Sequence, residues 1–415
     1  MQSDATRLLK NLFEQAVATA DPMNCLAAHL PPPPKGRLIV IGAGKASARM
    51  AEAVDRHYDQ PLEGLVITRY GYGRPTERIE IVEAAHPVPD QAGVDATRRI
   101  LNLVDNLTPD DLVLALISGG GSSLLCAPRD GLSLKQKQQI NKDLLASGAP
   151  ISQMNVVRRH LSQVKGGKLA AACAPAQVLG LIISDVPGDD VAVIASGPTV
   201  PQPPSADSVS EILERWGIDP APFAQLPADP DLNFEALKEK VSNKVVAAPS
   251  QSLAAAKTVA EQVGCDVLML GDDLEGEARE LGAAHAHKAL EIAANRAATQ
   301  KPLLILSGGE CTVTRTGNGV GGPNAEYALA ALVALNGNAR ITLLAADTDG
   351  VDGAAEVAGA FVLPDSLQRA TDLGRAPQDF LQRNDAHRFF EALGDQFVTG
   401  PTLTNVNDFR AILIE

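Results

Sequence analysis

The feature that most constrains this chain is a recurring short run of aliphatic residues that ends in glycine or a polar turn. Leu38-Ile39-Val40-Ile41-Gly42 is the first, followed by Leu65 to Thr68, Ile79 to Glu83, Leu112 to Ile117 and Val178 to Ser184. Uninterrupted apolar runs of this length suit strands buried on both faces, and such strands belong to parallel sheets covered by helices. Helix-length amphipathic segments separate them, at about Lys45 to Tyr58, Ala92 to Asn106 and Leu134 to Ala146. Alternating strand and helix imply right-handed crossovers and a doubly wound parallel sheet. Ahead of this series, Leu8, Leu9, Leu12, Phe13 and Ala16 recur at helical spacing, and Pro31 to Pro34 form a stiff connector.

Between Val200 and Asn233 the character changes. Pro201, Pro203, Pro204, Pro220, Pro222, Pro227 and Pro230 crowd around one short helix, expected from Asp207 to Trp216. A chain of 415 residues exceeds one ordinary core, and this stretch is the expected domain boundary. A second α/β series follows, with strands expected at Lys244 to Ala248, Asp266 to Leu270, Leu303 to Ser307, Cys311 to Thr314 and Ile341 to Ala346. An alanine-rich helix, about Glu275 to Thr299, lies among them. Each half has an apolar strand that runs into Ser-Gly-Gly, at Ser118-Gly119-Gly120 and at Ser307-Gly308-Gly309.

Charge and composition narrow the partners. With 50 acidic and 36 basic residues the formal charge is −14, which repels nucleic-acid backbones and anionic membrane surfaces. A site for anions must therefore concentrate its few cations locally. Five cysteines, with no CxxC spacing, read as reduced thiols rather than a disulfide or zinc framework. No signal peptide and no membrane-length apolar run are visible, so the expectation is a cytoplasmic protein.

In open α/β sheets ligands bind beyond the carboxyl ends of strands, which is where the glycine clusters fall. Gly42-Ala43-Gly44-Lys45-Ala46-Ser47 is not a P-loop, since Ile39 and Ala46 stand where a glycine and a Ser or Thr are needed. Nor is it a dinucleotide fingerprint, because Ser47 occupies the third glycine position. What remains is a tight strand-to-helix turn with a lysine expected in the first helical turn, where a cation is costly unless an anion binds. Ser118-Gly119-Gly120-Gly121-Ser122-Ser123 offers backbone N–H groups and hydroxyls suited to phosphates or carboxylates. Arg158, Arg159, His160, Lys165 and Lys168 form the densest basic stretch, with Gly166-Gly167 inside it. Asp185 and Asp189, in Ser184-Asp185-Val186-Pro187-Gly188-Asp189-Asp190, follow an apolar strand and suit Mg²⁺. In the second half, Ser307-Gly308-Gly309-Glu310 is expected as a strand-end turn carrying a carboxylate. The loop around Gly321-Gly322-Pro323-Asn324 runs into a helix, and Asp347-Thr348-Asp349-Gly350 places carboxylates after a strand. Thr399-Gly400-Pro401-Thr402 and Asn405-Val406-Asn407-Asp408 close the chain with hydrogen-bonding groups. Nothing suggests nucleophilic hydrolysis, and His285 and His287 read as surface residues of the alanine-rich helix.

Taken in order, these blocks resemble the glycerate 2-kinase family, whose C-terminal part carries the MOFRL domain. The resemblance implies a Rossmann-like, doubly wound domain over residues 1–235 and a smaller MOFRL-type α/β domain with a mixed sheet over 236–415. It implies ATP- and Mg²⁺-dependent phosphorylation of D-glycerate at its 2-hydroxyl, in the cleft between the domains. By the same carry-over Lys45, Asp189 and Arg158 are the expected catalytic residues, with Lys45 bridging substrate and phosphoryl group and Asp189 as base. Gly44, Ser118, Gly119, Gly120, Gly121, Ser122, Arg159, His160, Lys165, Ser307, Gly308, Gly309, Glu310, Asn324 and Asn405 are expected to bind substrate or nucleotide. Asp185 and Asp349 are the expected metal ligands. The expected partners are D-glycerate and ATP, without nucleic acid or membrane, and a homodimer is compatible with this reading. One departure stands out: many relatives have arginine where this chain has Pro323, and Arg158, Arg159 or Arg315 are the cations available to replace it. The competing reading is an NAD(P)H-dependent hydroxypyruvate reductase, a name that relatives also carry. A non-catalytic phosphate or sugar-acid sensor is a third.

Overall fold

The computed structural model describes residues 4–203, 208–223, 225–226, 232, 234–297, 299–353 and 355–415. It divides into two compact units, one of residues 22–184 and 189–246, the other of 1–21, 185–188 and 247–415.

The first unit is built on six strands: β1 (Leu38–Ala43), β2 (Glu63–Arg69), β3 (Ile79–Ala84), β4 (Leu112–Ile117), β5 (Gln177–Ile183) and β6 (Val241–Ala247). Their order is β3-β2-β1-β4-β5-β6, the doubly wound order. Pairing from β3 through β5 is parallel. Every residue of β1 is buried, as its unbroken apolar run requires. The expected helices form as Ser47–His57, Gln91–Leu103 and Leu134–Ser147. Two of them are capped by their own sequence: Asp90 accepts from Gly93 N at 3.1 Å, and Ser133 with Gln136 makes a capping box. Lys244 to Ala248, expected to open the second series, instead supplies the edge strand β6 beside β5. Sequence order suggested otherwise because a long proline-rich connection precedes it. Of the helix expected at Asp207 to Trp216, Val209–Arg215 forms behind a Ser208–Glu211 capping box. Asp207, Pro204, Pro227 and Pro230 lie outside the described residues.

The second unit holds a mixed sheet in the order β13-β12-β11-β14-β9-β7. Its strands are β7 (Asp266–Gly271), β9 (Leu303–Gly309), β11 (Ile341–Asp347), β12 (Gly359–Val362), β13 (Gln396–Phe397) and β14 (Asp408–Ile414). β8 (Gly276–Glu277) and β10 (Cys311–Thr312) pair separately, shortening the strand expected at Cys311 to Thr314. Within the six-stranded sheet β7 and β9 run parallel and the other described pairs antiparallel, while β8 and β10 are parallel to each other. Alternate residues feed two cores. Leu303 and Ile305 face the helices Ala278–Asn295 and Pro323–Leu335, while Leu304 and Leu306 face the helices Asp4–Ala20 and Pro249–Gln262. The N-terminal helix thus belongs to this unit, with Leu9, Leu12, Phe13 and Ala16 buried and Phe13 edge-on to Phe397 at 5.0 Å.

His285 corrects an expectation. It is buried on the inner side of its helix with Nδ1 2.8 Å from Tyr327 Oη, and burial, reinforced by Arg410 and Lys288, brings its pKa down to about 4. Small alanine neighbours conceal an inward face from a periodicity argument. His287 is exposed, as expected.

Candidate functional site

In the first unit the sheet order turns at β1 and β4, so the loops that leave these strands diverge around a crevice. The two glycine motifs occupy those loops and are tied together. Lys45 N donates to Gly119 O at 2.8 Å and Ala46 N to the Ser118 hydroxyl at 3.0 Å. Ser47 Oγ donates to Leu116 O at 2.9 Å. The helix accordingly starts at Ser47, and half-buried Lys45 sits in the turn ahead of it rather than in its first turn. Ser118 is fully buried, and its hydroxyl holds this turn. Gly120 takes a left-handed conformation (φ 79°) and opens the short helix Gly121–Leu124. A Cβ there would lie 3.0 Å from His86 Cδ2 and 3.3 Å from Lys45 Cγ, so the bare glycine is what lets the lysine stem and His86 lie over the loop.

Two further motifs join the same loop. Gly166 N donates to Ser196 O at 3.1 Å and Gly167 N to Gly197 O at 2.8 Å. The Ser196 hydroxyl is 2.8 Å from that of Ser122, whose carbonyl accepts from Lys165 Nζ at 2.6 Å. The connecting segment is strained: Asp189, Ala195 and Ser196 have φ of 55°, 52° and 62°, a conformation that non-glycine residues avoid. Asp189 Oδ1 is buried there with no hydrogen-bond partner, a costly arrangement for a carboxylate.

Beside Ser122 opens a cavity of about 600 Å³. Lys135, Lys137, Lys142, Arg158 and Lys165 line it, with Ser122, Ser123 and Cys126, and no carboxylate among the described residues does. Lys165 is buried, and burial together with neighbouring Lys137 and Arg158 brings its pKa down to about 7, against a weaker upward pull from Cys126. Burial also lowers the pKa of Lys137 and of Arg158. The basic run therefore divides. Arg158 and Lys165 reach the cavity, whereas Arg159 donates to Gln202 Oε1 at 2.5 Å and Lys168 to the Arg159 and Ser162 carbonyls. The His160 carbonyl accepts from Arg129 at 3.4 Å.

Sequence reasoning missed Lys137. The signal was present: it shares the buried face of the helix Leu134–Ser147 with Ile140 and Leu144, at i+3 and i+7. A lysine on the apolar face of an amphipathic helix marks a site, because its charge must be met there.

The second unit gathers the other motifs around the ends of β9, β11 and β14. Asp185 Oδ2 accepts from Asn405 Nδ2 at 3.1 Å, and its carbonyl accepts from Asn407 Nδ2 at 2.7 Å. Thr348 Oγ1 donates to Asn407 O at 2.7 Å, and Thr402 N donates to Asp349 O at 3.2 Å. Asp349 is buried and accepts from Val351 N at 2.8 Å. Asn324 is buried too; its Nδ2 donates to Asp408 Oδ1 at 2.6 Å and its N–H to Asp352 Oδ1 at 2.9 Å. Asp408 pairs in turn with buried Arg410. Ser307-Gly308-Gly309 is not a turn, since β9 continues through all three and Gly308 O accepts from Arg410 at 2.9 Å. Glu310, just beyond, is exposed. Pro323 begins the helix Pro323–Leu335, where its missing N–H removes no helical bond. Exposed Arg315 donates to Gly319 O at 2.7 Å.

Among the described residues no three His, Cys, Asp or Glu side chains gather as a ligand set. Separate carboxylates with amide oxygens nearby suit Mg²⁺, which takes one or two carboxylates and completes its shell with water and phosphate.

Residues 8–226 match the domain of unknown function DUF4147, and residues 303–408 match the MOFRL family. The D-glycerate 2-kinase of Thermotoga maritima is 36% identical over 413 residues, covering 98% of each chain. The chain belongs to the glycerate 2-kinase family. A crystal structure of glycerate kinase from the same organism superposes with a TM-score of 0.85 at 35% identity, covering 99% of both chains. An Agrobacterium vitis relative of this family, 50% identical over 414 residues that make up 99% of this chain and 94% of its own, bears the name putative hydroxypyruvate reductase. As in the solved family member, the architecture is a Rossmann-like sheet domain accompanied by a mixed-sheet α/β domain. No helix among the described residues is long and apolar enough to cross a membrane.

Proposed function

We propose that this protein transfers the γ-phosphoryl group of ATP to the 2-hydroxyl of D-glycerate, giving 2-phosphoglycerate and ADP. The observation that carries this reading is the cavity beside Ser122, whose described lining holds five cations and no carboxylate in a chain of formal charge −14. Such a concentration serves anionic substrates, and both glycerate and ATP are anions. Phosphoryl transfer asks for in-line positioning and charge neutralisation rather than a covalent intermediate. In this reading Lys45 contacts the transferring phosphoryl group, while Arg158 and Lys165 neutralise phosphate charge in place of an arginine at position 323. Asp189 accepts the proton of the attacking hydroxyl; its unpartnered oxygen and strained backbone favour it over the hydrogen-bonded Asp185. Asp185 and Asp349 are the proposed holders of Mg²⁺, which when bound neutralises phosphate oxygens. The cysteine spacing, with no CxxC pair, supports a cytoplasmic setting.

The name carried by the Agrobacterium vitis relative makes hydroxypyruvate reduction the reading to test against. One preparation is assayed with glycerate and Mg-ATP by phosphorus NMR, and in parallel with hydroxypyruvate and NADH. The expected outcome is a 2-phosphoglycerate resonance and no NADH oxidation; NADH oxidation without phosphoryl transfer overturns the kinase reading. Lys45→Ala is expected to fold normally and lose about a hundredfold or more in turnover, the usual effect of removing a group aimed at developing charge.

A further inference from the structure

We infer that the cavity beside Ser122 holds the phosphate chain of a nucleoside triphosphate, and that Lys137 is a phosphate-binding residue of this site. The inference rests on the kinase reading for the nucleotide's role, but the binding it asserts is measured without turnover.

Lys137 carries the argument. It is 3% exposed and lines the cavity, and among the described residues its Nζ meets the Cys126 thiol but no oxygen partner. Lys165 and the Cys126 thiol act on it, Arg158 lines the same cavity, and no carboxylate among the described residues does. An uncompensated buried ammonium is strongly unfavourable, and two further cations facing the same space make it more so. The arrangement is resolved when an anion of several charges fills that space. Lys165, anchored on the Ser122 carbonyl, and Arg158 flank the same volume, while Lys135 and Lys142 stand exposed at its mouth.

Size and lining choose between the two anionic substrates. A cavity of about 600 Å³ is in the range that encloses nucleotide-sized ligands, several-fold more than a three-carbon acid fills. Beside Lys135 and Lys142 the rim carries apolar side chains: Val88 is 60% exposed and Leu145 64% exposed, and Pro87 and Pro89 line the same cavity. Large aliphatic side chains left in water on the edge of a cationic floor match a ligand with a charged chain and a flat apolar ring system. A free phosphate or a phosphorylated acid shares the floor chemistry but leaves the rim unused.

The test is calorimetric titration of the full-length protein with the β,γ-imido analogue of ATP in Mg²⁺, and separately with tripolyphosphate, inorganic phosphate and D-glycerate. Lys137→Met, nearly isosteric, is expected to weaken the analogue and tripolyphosphate at least tenfold and leave glycerate unchanged. Leu145→Asp, an exposed change that does not threaten folding, is expected to weaken the analogue several-fold and tripolyphosphate little. If both variants bind the analogue like the parent, or if Lys137→Met loses glycerate instead, the inference is wrong while the kinase reading stands. A parent protein that binds no analogue and transfers no phosphoryl group defeats both.

Discussion

The two Ser-Gly-Gly segments begin alike and end in opposite roles. Each follows a buried aliphatic run, and each serine is buried. After β4 the chain leaves the sheet at Ser118, turns through left-handed Gly120 and opens into Ser122 beside a cavity whose described lining holds cations and no carboxylate. In β9 the chain stays in the sheet, paired residue for residue with Arg410, Phe409 and Asp408 of β14. Its cations are consumed: Arg410 is held by Asp408 and by the Gly308 carbonyl, and Asn324 ties Asp408 to Asp352. The same tripeptide is thus an open loop, the proposed ligand loop, where the charges around it are unbalanced, and a strand segment where they are paired. What decides is the neighbourhood contributed by distant segments.

The largest effect that separates the two regions is expected from their charges. Asp408→Asn leaves buried Arg410 without its counter-charge, and chemical denaturation is expected to show a loss of about 3–5 kcal/mol. Lys165→Met removes a buried ammonium that has no carboxylate beside it, so stability is expected to stay within about 1 kcal/mol or to rise, while affinity for the ATP analogue falls. Equal losses of stability in the two variants would erase the distinction between a ligand site and a structural network.

The glycines sharpen the comparison at a smaller scale. A Cβ on Gly309 (φ 109°) would lie 2.2 Å from the Leu274 carbonyl oxygen, so Gly309→Ala combines backbone strain with a backbone clash. It is expected to lose about 2–4 kcal/mol, with the folded fraction keeping its KM values. Gly120→Ala meets only side chains, Lys45 and His86, so its cost is expected near 1 kcal/mol and its main consequence in kcat. Melting curves and steady-state kinetics on the two variants check both halves of this expectation.

Much of the first sheet was legible because parallel strands buried on both faces carry an unbroken aliphatic signature, as β1 and β4 do. The second sheet was less so. β14 went unread beyond its first residue because Arg410 interrupts an otherwise apolar run, and nothing local says that a strand arginine will be buried against Asp408. β12 and β13 are four and two residues long, too short for a period to emerge. In the site, glycine and charge clusters located the loops, but the basic run did not reveal that Arg158 and Lys165 turn to the cavity while Arg159 and Lys168 turn away. That division depends on Gln202 and on the Ser162 carbonyl, which lie in separate segments. Lys137 was hidden in an ordinary amphipathic helix until its register was compared with Ile140 and Leu144.

The smallest expected effect is the dependence of stability on pH, where the two regions slope in opposite directions. The Lys165 pKa of about 7 is below the ordinary lysine value, so below pH 7 the folded state carries a charge it disfavours. That penalty lifts as pH rises from about 7 toward 10.5, and this part of the stability increases with pH. His387 behaves conversely. Burial alone would lower its pKa, but Asp352, whose carboxylate is 3.1 Å from Nε2, outweighs burial and raises it. Its stabilisation is complete below about pH 6.5 and is lost as pH climbs through the raised value. Asp352 also accepts from Asn324 N and from Ala325 N at 2.8 Å, so the protonated ring neutralises a carboxylate that caps the helix Pro323–Leu335. His387→Asn is therefore expected to lower the melting temperature by about a few °C at pH 6, with the difference shrinking as the pH is raised toward 9. A difference that stays constant across that range would mean the ring is neutral throughout. The cap would then rest on the carboxylate alone, and the pairing of charges that distinguishes the second region would not extend to His387.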